Sequence, residues 1–290
     1  MMSLSLASRR LMSSSAKTSG SLTVVRIKNG VRTVRMNRPR QLNGWTGPLM
    51  KEIIADFEEA AQDEETKVLA FTGTGPYYSA GVNLAGSFQP MTPRKFFKKI
   101  IIENENIFNA FLKFPKPILI AVNGHSIGAT VTSATLCDAV IAAQGSTFST
   151  PFHRLGITPE GCSSVHWPRL LGPTNANRML GSEGWVPTAE EALAIGLITK
   201  VVPPETLMDE AQALAESWIA QGRKRTIPAG EHMGHLALVN RRESVDLANA
   251  FVSPKFIQGQ INFLTSKGKN KEANVFKLIY ATMPLWKKML

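Results

Sequence analysis

Lys116-Pro-Ile-Leu-Ile-Ala-Val-Asn-Gly-His-Ser-Ile-Gly-Ala129 is the stretch on which the rest of the chain is organised. Ile118 to Val122 is a short, uncharged apolar run, and such a run predicts a buried strand. Asn123-Gly124 is a turn signal. Gly128-Ala129 then opens a small-residue apolar segment, Ala129 to Leu136, that predicts a buried helix. Strand, tight turn and helix start leave backbone N–H groups with no intrahelical partner. Donors of that kind can hold a developing negative charge. By itself the stretch reads more simply as a buried strand-loop-helix whose glycines only allow close packing.

The whole chain sets the frame around it. At 290 residues there is room for one large domain, or a core domain with a smaller one. Hydrophobic content of 43% and a mean hydropathy of −0.05 are ordinary for a globular protein. No apolar run approaches the roughly 18 residues of a membrane span. Cys137 and Cys162 are too few for a disulfide framework or a cysteine-rich zinc site. The net charge of +11 has a local origin. Residues 1–51 carry ten Lys/Arg and no Asp/Glu, whereas residues 52–290 carry 23 and 22. The body of the chain therefore lacks the basic face that a nucleic-acid partner would need. Met1 to Ser21 is Ser-rich, holds Arg9, Arg10 and Lys17 and has no acids, which is the composition of a mitochondrial presequence.

In chain order, Leu22–Ile27 and Val31–Met36 are β-rich runs joined by Asn29-Gly30, a strong hairpin signal. Thr46 can cap a helix with Leu49, Ile53, Phe57 and Ala60 on one face. Val68–Thr72 reads as a buried strand, followed by the Gly-rich loop Gly73 to Leu84, which has no P-loop spacing. Thr92-Pro93 starts a long helix whose buried stripe includes Phe97, Ile100, Phe108 and Phe111. Its Lys95, Lys98 and Lys99 make a solvated face, or a contact for an anionic ligand at the mouth of a site. Ala139–Ala142 is a further strand. A loop through Phe148 to Ser164 leads to a short helix containing Val165 and Trp167 and ending near Gly172. Ile198–Val202 is a last strand, and beyond it Leu207–Ala220, Asn240–Phe251 and Pro254–Ser266 are helical. Strands early and helices late predict a sheet-based core followed by a helical region.

Few residues are placed for chemistry. The five histidines form no H-E-x-x-H and no cluster with cysteine, and no serine sits in G-x-S-x-G. Glu160 stands out. Its Pro-Glu-Gly turn would ordinarily be exposed, yet its neighbours Leu155, Ile157, Val165 and Trp167 are apolar. A carboxylate in such surroundings has a raised pKa, suited to general acid-base work near neutral pH.

Several ordered motifs converge on one resemblance. Ser79-Ala-Gly-Val-Asn-Leu84, Lys116-Pro117 through Asn123-Gly124 to Gly128-Ala129, Phe148-Ser-Thr-Pro-Phe152 and Thr158-Pro-Glu-Gly-Cys-Ser-Ser164 resemble the crotonase (enoyl-CoA hydratase/isomerase) superfamily. Asn37-Arg-Pro39, Leu42-Asn43 and Phe256 to Leu264 fit it too, so that the likeness covers roughly residues 22–267. It implies an α/β fold, a crotonase-like spiral of ββα units with a C-terminal helical trimerisation domain. It further implies an acyl-CoA substrate whose thioester oxygen lies between two backbone N–H groups, by position those of Ala80 and Ala129. The substrate would lie along Ala80, Gly81, Val82, Asn83 and Leu84, with Gly128, Phe152, Ile157 and Trp167. No cofactor or metal is implied, since the CoA thioester is itself the substrate.

Within the superfamily, hydratases use two glutamates, and the matching places here are Thr132 and Phe152. The Pro159 to Ser164 run is similar to that of peroxisomal-type Δ3,Δ2-enoyl-CoA isomerases, with a single catalytic glutamate at the place of Glu160. The resemblance thus implies an isomerase that moves a 3-enoyl-CoA double bond to trans-2 in unsaturated fatty acid β-oxidation. The other readings are a non-catalytic acyl-CoA-binding member, or another crotonase reaction such as hydration or dienoyl-CoA isomerisation. The expected organisation is a targeting segment (1–21), a spiral core (22–202), a helical domain (203–267) and a C-terminal extension (268–290). The expected assembly is a homotrimer or a dimer of trimers. The N-terminus suggests the mitochondrial matrix, and the peroxisome is the alternative, although Lys288-Met289-Leu290 matches S-K-L poorly.

Overall fold

The computed structural model describes residues 20–83 and 91–289. Most of the expected targeting segment, and Leu84, lie outside the described residues.

Two strands, β1 (Thr23–Lys28) and β2 (Val31–Met36), pair antiparallel about the Asn29-Gly30 turn, with both turn residues at positive φ. Helix α1 (Gly47–Gln62) follows, its first turn capped by the Thr46 hydroxyl accepting from the Leu49 N–H. The chain then makes three similar passes. The first is β3 (Val68–Gly73), β4 (Tyr77–Ser79) and helix α2 (Pro93–Leu112). Next come β5 (Ile118–Val122), β6 (His125–Ile127) and α3 (Ala129–Ala134). The third is β7 (Ala139–Ala143), β8 (Phe148–Ser149) and α4 (Phe152–Leu155). Each pass adds one strand to a six-stranded sheet, in the order β1-β2-β3-β5-β7-β9, and one to a small parallel sheet, β4-β6-β8. That repetition is the spiral expected from the ββα pattern. Helices α5 (Ser163–Leu170), α6 (Pro173–Leu180) and α7 (Ala189–Ala194) precede the edge strand β9 (Lys200–Val202). The C-terminal part is helical: α8 (Leu207–Ala220), α9 (Met233–Phe251), α10 (Pro254–Ser266), α11 (Asn270–Ala281) and α12 (Met283–Trp286).

Both faces of the large sheet are covered, which is why β3, β5 and β7 are buried throughout and carry no alternation of apolar and polar residues, the one polar side chain, Thr72, donating to the Ala121 carbonyl. On one face α1 and α2 bring Phe57 and Phe111 to a 4.9 Å edge contact, with Phe71 of β3 against both. On the other, Leu207, Ala211, Ala215 and Trp218 of α8 pack on Val68, Leu119 and Ile141. The late helices form a third cluster around Phe251, Phe256, Leu264, Phe276 and Trp286, which reaches Phe96, Phe97 and Ile100 of α2. Helix α2 therefore stands between the sheet and the C-terminal helices, and a cavity opens along it.

Candidate active site

The loop after β4 is laid against the loop before α1. The Ala80 N–H donates to the Leu42 carbonyl (2.9 Å), Trp45 N–H to the Gly81 carbonyl (2.8 Å), and Asn83 N–H to the Trp45 carbonyl (2.8 Å). Gly81 N–H donates to the Ser79 hydroxyl, which itself donates to the Asn43 carbonyl. This parallel bridge skips one donor: the N–H of Val82 has no partner among the described residues. The Ala80 N–H, expected to be the open donor, is already satisfied, and the N–H without a partner among the described residues lies two residues on.

Gly81 allows the close approach. Its φ is +80°, and a Cβ there would lie 2.6 Å from the Ile127 carbonyl oxygen. The neighbouring strand β6 ends at that carbonyl, and Gly128 and Ala129 follow. Ala129 is the first residue of α3, and its N–H likewise has no partner among the described residues. Val82 and Ala129 thus both line one cavity from adjacent segments.

Glu160 lines the same cavity from the loop between α4 and α5 and is 5% exposed. Its carboxylate accepts no hydrogen bond among the described residues. Burial, with the nearby Glu243 carboxylate second, pushes its pKa up to about 8. The walls are apolar: Ile100 and Ile107 from α2, Phe152 and Ile157 around α4, and Leu247 and Phe251 from α9. At one end the Lys99–Glu103 ion pair (3.1 Å) also reaches the cavity. Lys95 and Lys98 line a separate groove between α1 and α2 instead.

Gly128, Phe152 and Ile157 all face this cavity, as do Ala80 and Gly81. Asn83 is exposed outside it. Trp167, expected along the substrate, is instead fully buried away from the cavity, with its indole N–H donating to the Thr135 hydroxyl (2.9 Å). Thr132 is buried in α3 with its hydroxyl bonded back to the Ala129 carbonyl. Neither Thr132 nor Phe152 can supply a second carboxylate. Sequence reasoning missed the contributions of α9. Its Glu243, buried, accepts from the backbone N–H groups of Cys162 (2.6 Å) and Ser164 (3.0 Å), directly behind Glu160. Among the described residues no group of three or more His, Cys, Asp or Glu side chains is placed to hold a metal.

A cavity of this kind can hold a carbonyl oxygen on two N–H groups beside a high-pKa carboxylate, which is the apparatus for removing a proton next to that carbonyl. The model for the enoyl-CoA hydratase/isomerase family matches residues 26–258. Enoyl-CoA delta isomerase 2 of Homo sapiens is 32% identical over 255 residues, covering 85% of this chain and 64% of that protein. The chain thus spans just under two thirds of that relative. Enoyl-CoA delta isomerase 3, peroxisomal, of Mus musculus is 32% identical, covering 86% and 80%. The chromodomain Y-like protein of the same species is 29% identical, covering 84% and 42%. The crystal structure of an enoyl-CoA hydratase/isomerase from Pseudoalteromonas atlantica superposes with a TM-score of 0.72 at 25% identity, covering 85% and 98%.

Proposed function

The chain belongs to the enoyl-CoA hydratase/isomerase family, and from that premise we propose that it is a Δ3,Δ2-enoyl-CoA isomerase working with one glutamate. The observation that carries the reading is the buried carboxylate of Glu160 facing an apolar cavity beside two backbone N–H groups that have no partner among the described residues.

In this reading the thioester oxygen of a 3-enoyl-CoA rests on the N–H groups of Val82 and Ala129. Glu160, ionised, takes a proton from C2, and the electron pair delocalises onto that oxygen as a dienolate. The two N–H groups hold the developing charge; each such donor is typically worth about 10²–10³ in rate. The now neutral Glu160 returns the same proton to C4, and the double bond settles between C2 and C3. No net proton is consumed, so one group suffices. Phe152, Ile157 and Phe251 keep water away from the dienolate. Hydration would need a second carboxylate to orient water, and the family resemblance puts Thr132 and Phe152 at the places where hydratases carry their glutamates.

The CoA thioester is the substrate and the scheme needs no cofactor. The same reading takes the working assembly as a homotrimer or dimer of trimers in unsaturated fatty acid β-oxidation. The Arg- and Ser-rich start favours the mitochondrial matrix, while the mouse relative named as peroxisomal keeps the peroxisome as the alternative. The chromodomain Y-like match supports a second reading, an acyl-CoA-binding member without this activity.

The test is a paired assay on purified protein: 3-hexenoyl-CoA to 2-hexenoyl-CoA, against hydration of 2-hexenoyl-CoA. Wild type should isomerise with negligible hydration, and Glu160→Gln should lose isomerisation by at least about 10³-fold while still binding hexanoyl-CoA. A wild type that binds but does neither reaction would establish the second reading. Strong hydration would sink the single-base scheme.

A further inference from the structure

Glu243 lies on α9, 81 residues from the Cys162 N–H that it accepts, and is 4% exposed. Its other oxygen accepts from the Ser164 N–H (3.0 Å) and the Ser164 hydroxyl. These donors are the orphan N–H groups at the start of α5, so the carboxylate caps that helix from another element. The capped segment is conformationally unusual. Gly161 and Cys162 both have positive φ, +66° and +64°, and a Cβ on Gly161 would meet Phe108 at 2.4 Å and the Thr132 hydroxyl at 2.6 Å. A non-glycine residue in the left-handed region is held there only by its surroundings. The Ser163 hydroxyl donates to the Glu160 carbonyl (2.7 Å), tying the base's own backbone to the same start of helix. Glu160 therefore hangs from a loop whose one end is fixed by Glu243.

We propose that Glu243 is a positioning residue for Glu160: it clamps the 160–164 turn onto α9 and sets a second negative charge behind the base. The catalytic consequence rests on the isomerase reading above; the clamp and the charge coupling do not. The coupling has the expected direction, since burial and then Glu243 raise the Glu160 pKa, while burial raises Glu243 itself to about 7 against the hydrogen bonds from Ser164 and Cys162. Other charged groups around the pair are already matched or face outward. Asp246 of α9, which adds to the Glu243 shift, lies 3.9 Å from Arg242; Arg241 pairs with Glu105, and Lys99 with Glu103. Arg169 of α5 pairs with Glu231, and burial lowers the pKa of His166. His153 and Arg154 of α4 are exposed.

Two variants of the full chain separate charge from clamp. Glu243→Gln keeps the shape and one acceptor oxygen but removes the charge; Glu243→Ala removes both. The first readout is a carboxyl-carbon NMR titration of protein labelled at glutamate, with Glu160→Gln used to assign the Glu160 signal. The Glu160 midpoint, about 8 in wild type, should fall in Glu243→Gln. The rising limb of the pH profile for 3-hexenoyl-CoA isomerisation should move to lower pH with it. Rates are compared on the alkaline plateau, because near pH 7 the extra ionised Glu160 offsets the loss of position. There Glu243→Gln should lower kcat about tenfold and Glu243→Ala about 10²-fold, with the Kd for hexanoyl-CoA within about threefold of wild type. An unmoved Glu160 midpoint in Glu243→Gln would overturn the coupling. A plateau kcat within twofold of wild type in Glu243→Ala would overturn the clamp. If wild type itself does not isomerise 3-hexenoyl-CoA, the isomerase reading falls, and the NMR titration still decides whether Glu243 acts on Glu160.

Discussion

At the scale of the residue, this chain treats its carboxylates in opposite ways. Glu52, near the surface, has its pKa lowered to about 2: burial would raise it, but hydrogen bonds from Ser21, Thr23 and Leu22 outweigh that. Glu160 receives no such bonds among the described residues, and burial leaves it at about 8. The sign of the stability consequence follows. A group whose folded pKa exceeds its unfolded value binds a proton more tightly when folded. The contribution of Glu160 to stability is therefore complete below about pH 4.5 and is lost as pH rises toward about 8. Glu243 adds a loss of the same sign between about 4.5 and about 7. Glu160→Gln should accordingly melt higher than wild type at pH 8.5, by at least about 3 °C, with the gain vanishing near pH 4.5. Equal melting temperatures at both pH values would show that Glu160 is not held in a desolvated state. The prominence of Glu160 was legible in the sequence because a Pro-Glu-Gly turn flanked by Leu155 and Ile157 is locally anomalous. Glu243 was not, because nothing within a few residues of it marks it as inward; its burial is decided by N–H donors about 80 positions away.

At the scale of the element, apolar strands such as Ile118–Val122 and capped helices could be read, whereas the strands of the small sheet could not, and α9 starts seven residues before the expected Asn240. Leu207–Ala220 and Pro254–Ser266 form helices with the bounds that patterning and the Ser253-Pro254 cap predict. The structure adds what the sequence left as loop: β4, β6 and β8 are three, three and two residues long. Alternation cannot be recognised over so few positions, and these strands exist only because each pass stacks on the previous one. Yet this small sheet brings the two N–H donors together, with Gly81 lying against the end of β6. The same stacking explains the misplaced donor. The motif Ser79 to Asn83 shows where the loop is, but which N–H stays open depends on the bridge to Trp45, a long-range pairing. Gly81→Ala tests the element directly. The added methyl collides with the Ile127 carbonyl and is strained at φ +80°, so β4 and β6 must separate. Isomerisation of 3-hexenoyl-CoA should drop about 10²-fold in kcat/KM, more than any loss of hexanoyl-CoA binding. Activity near wild type would mean that the donors need not sit on abutting segments.

At the scale of the whole molecule, the cavity is closed by parts of the chain far from the sheet. Leu247 and Phe251 of α9 form one wall, and Phe251 packs on Phe256 of α10 with ring centroids 4.5 Å apart. Helix α10 is in turn covered by α11 and α12, which bury Ala273, Phe276, Met283 and Trp286 in the same cluster. The indole N–H of Trp286 donates to the Ile279 carbonyl (3.2 Å), pinning the last helix to the one before it. Residues 268–289 thus support the wall of the site through two layers of packing, although none of them lines the cavity. Truncation after Lys267 should uncover Phe256 and Leu264 and remove the packing of two large aromatics, each typically worth about 3–5 kcal/mol. The shortened chain should melt well below wild type, by about 10 °C or more. Loosening α9 and α10 should weaken the wall more than the N–H donors, so that KM for 3-hexenoyl-CoA rises by a larger factor than kcat falls. A truncated protein with unchanged melting temperature and KM would show that α11 and α12 cover α10 without stabilising it. A fall in kcat alone, at unchanged KM, would place their influence on Glu160 and Glu243 rather than on the acyl wall.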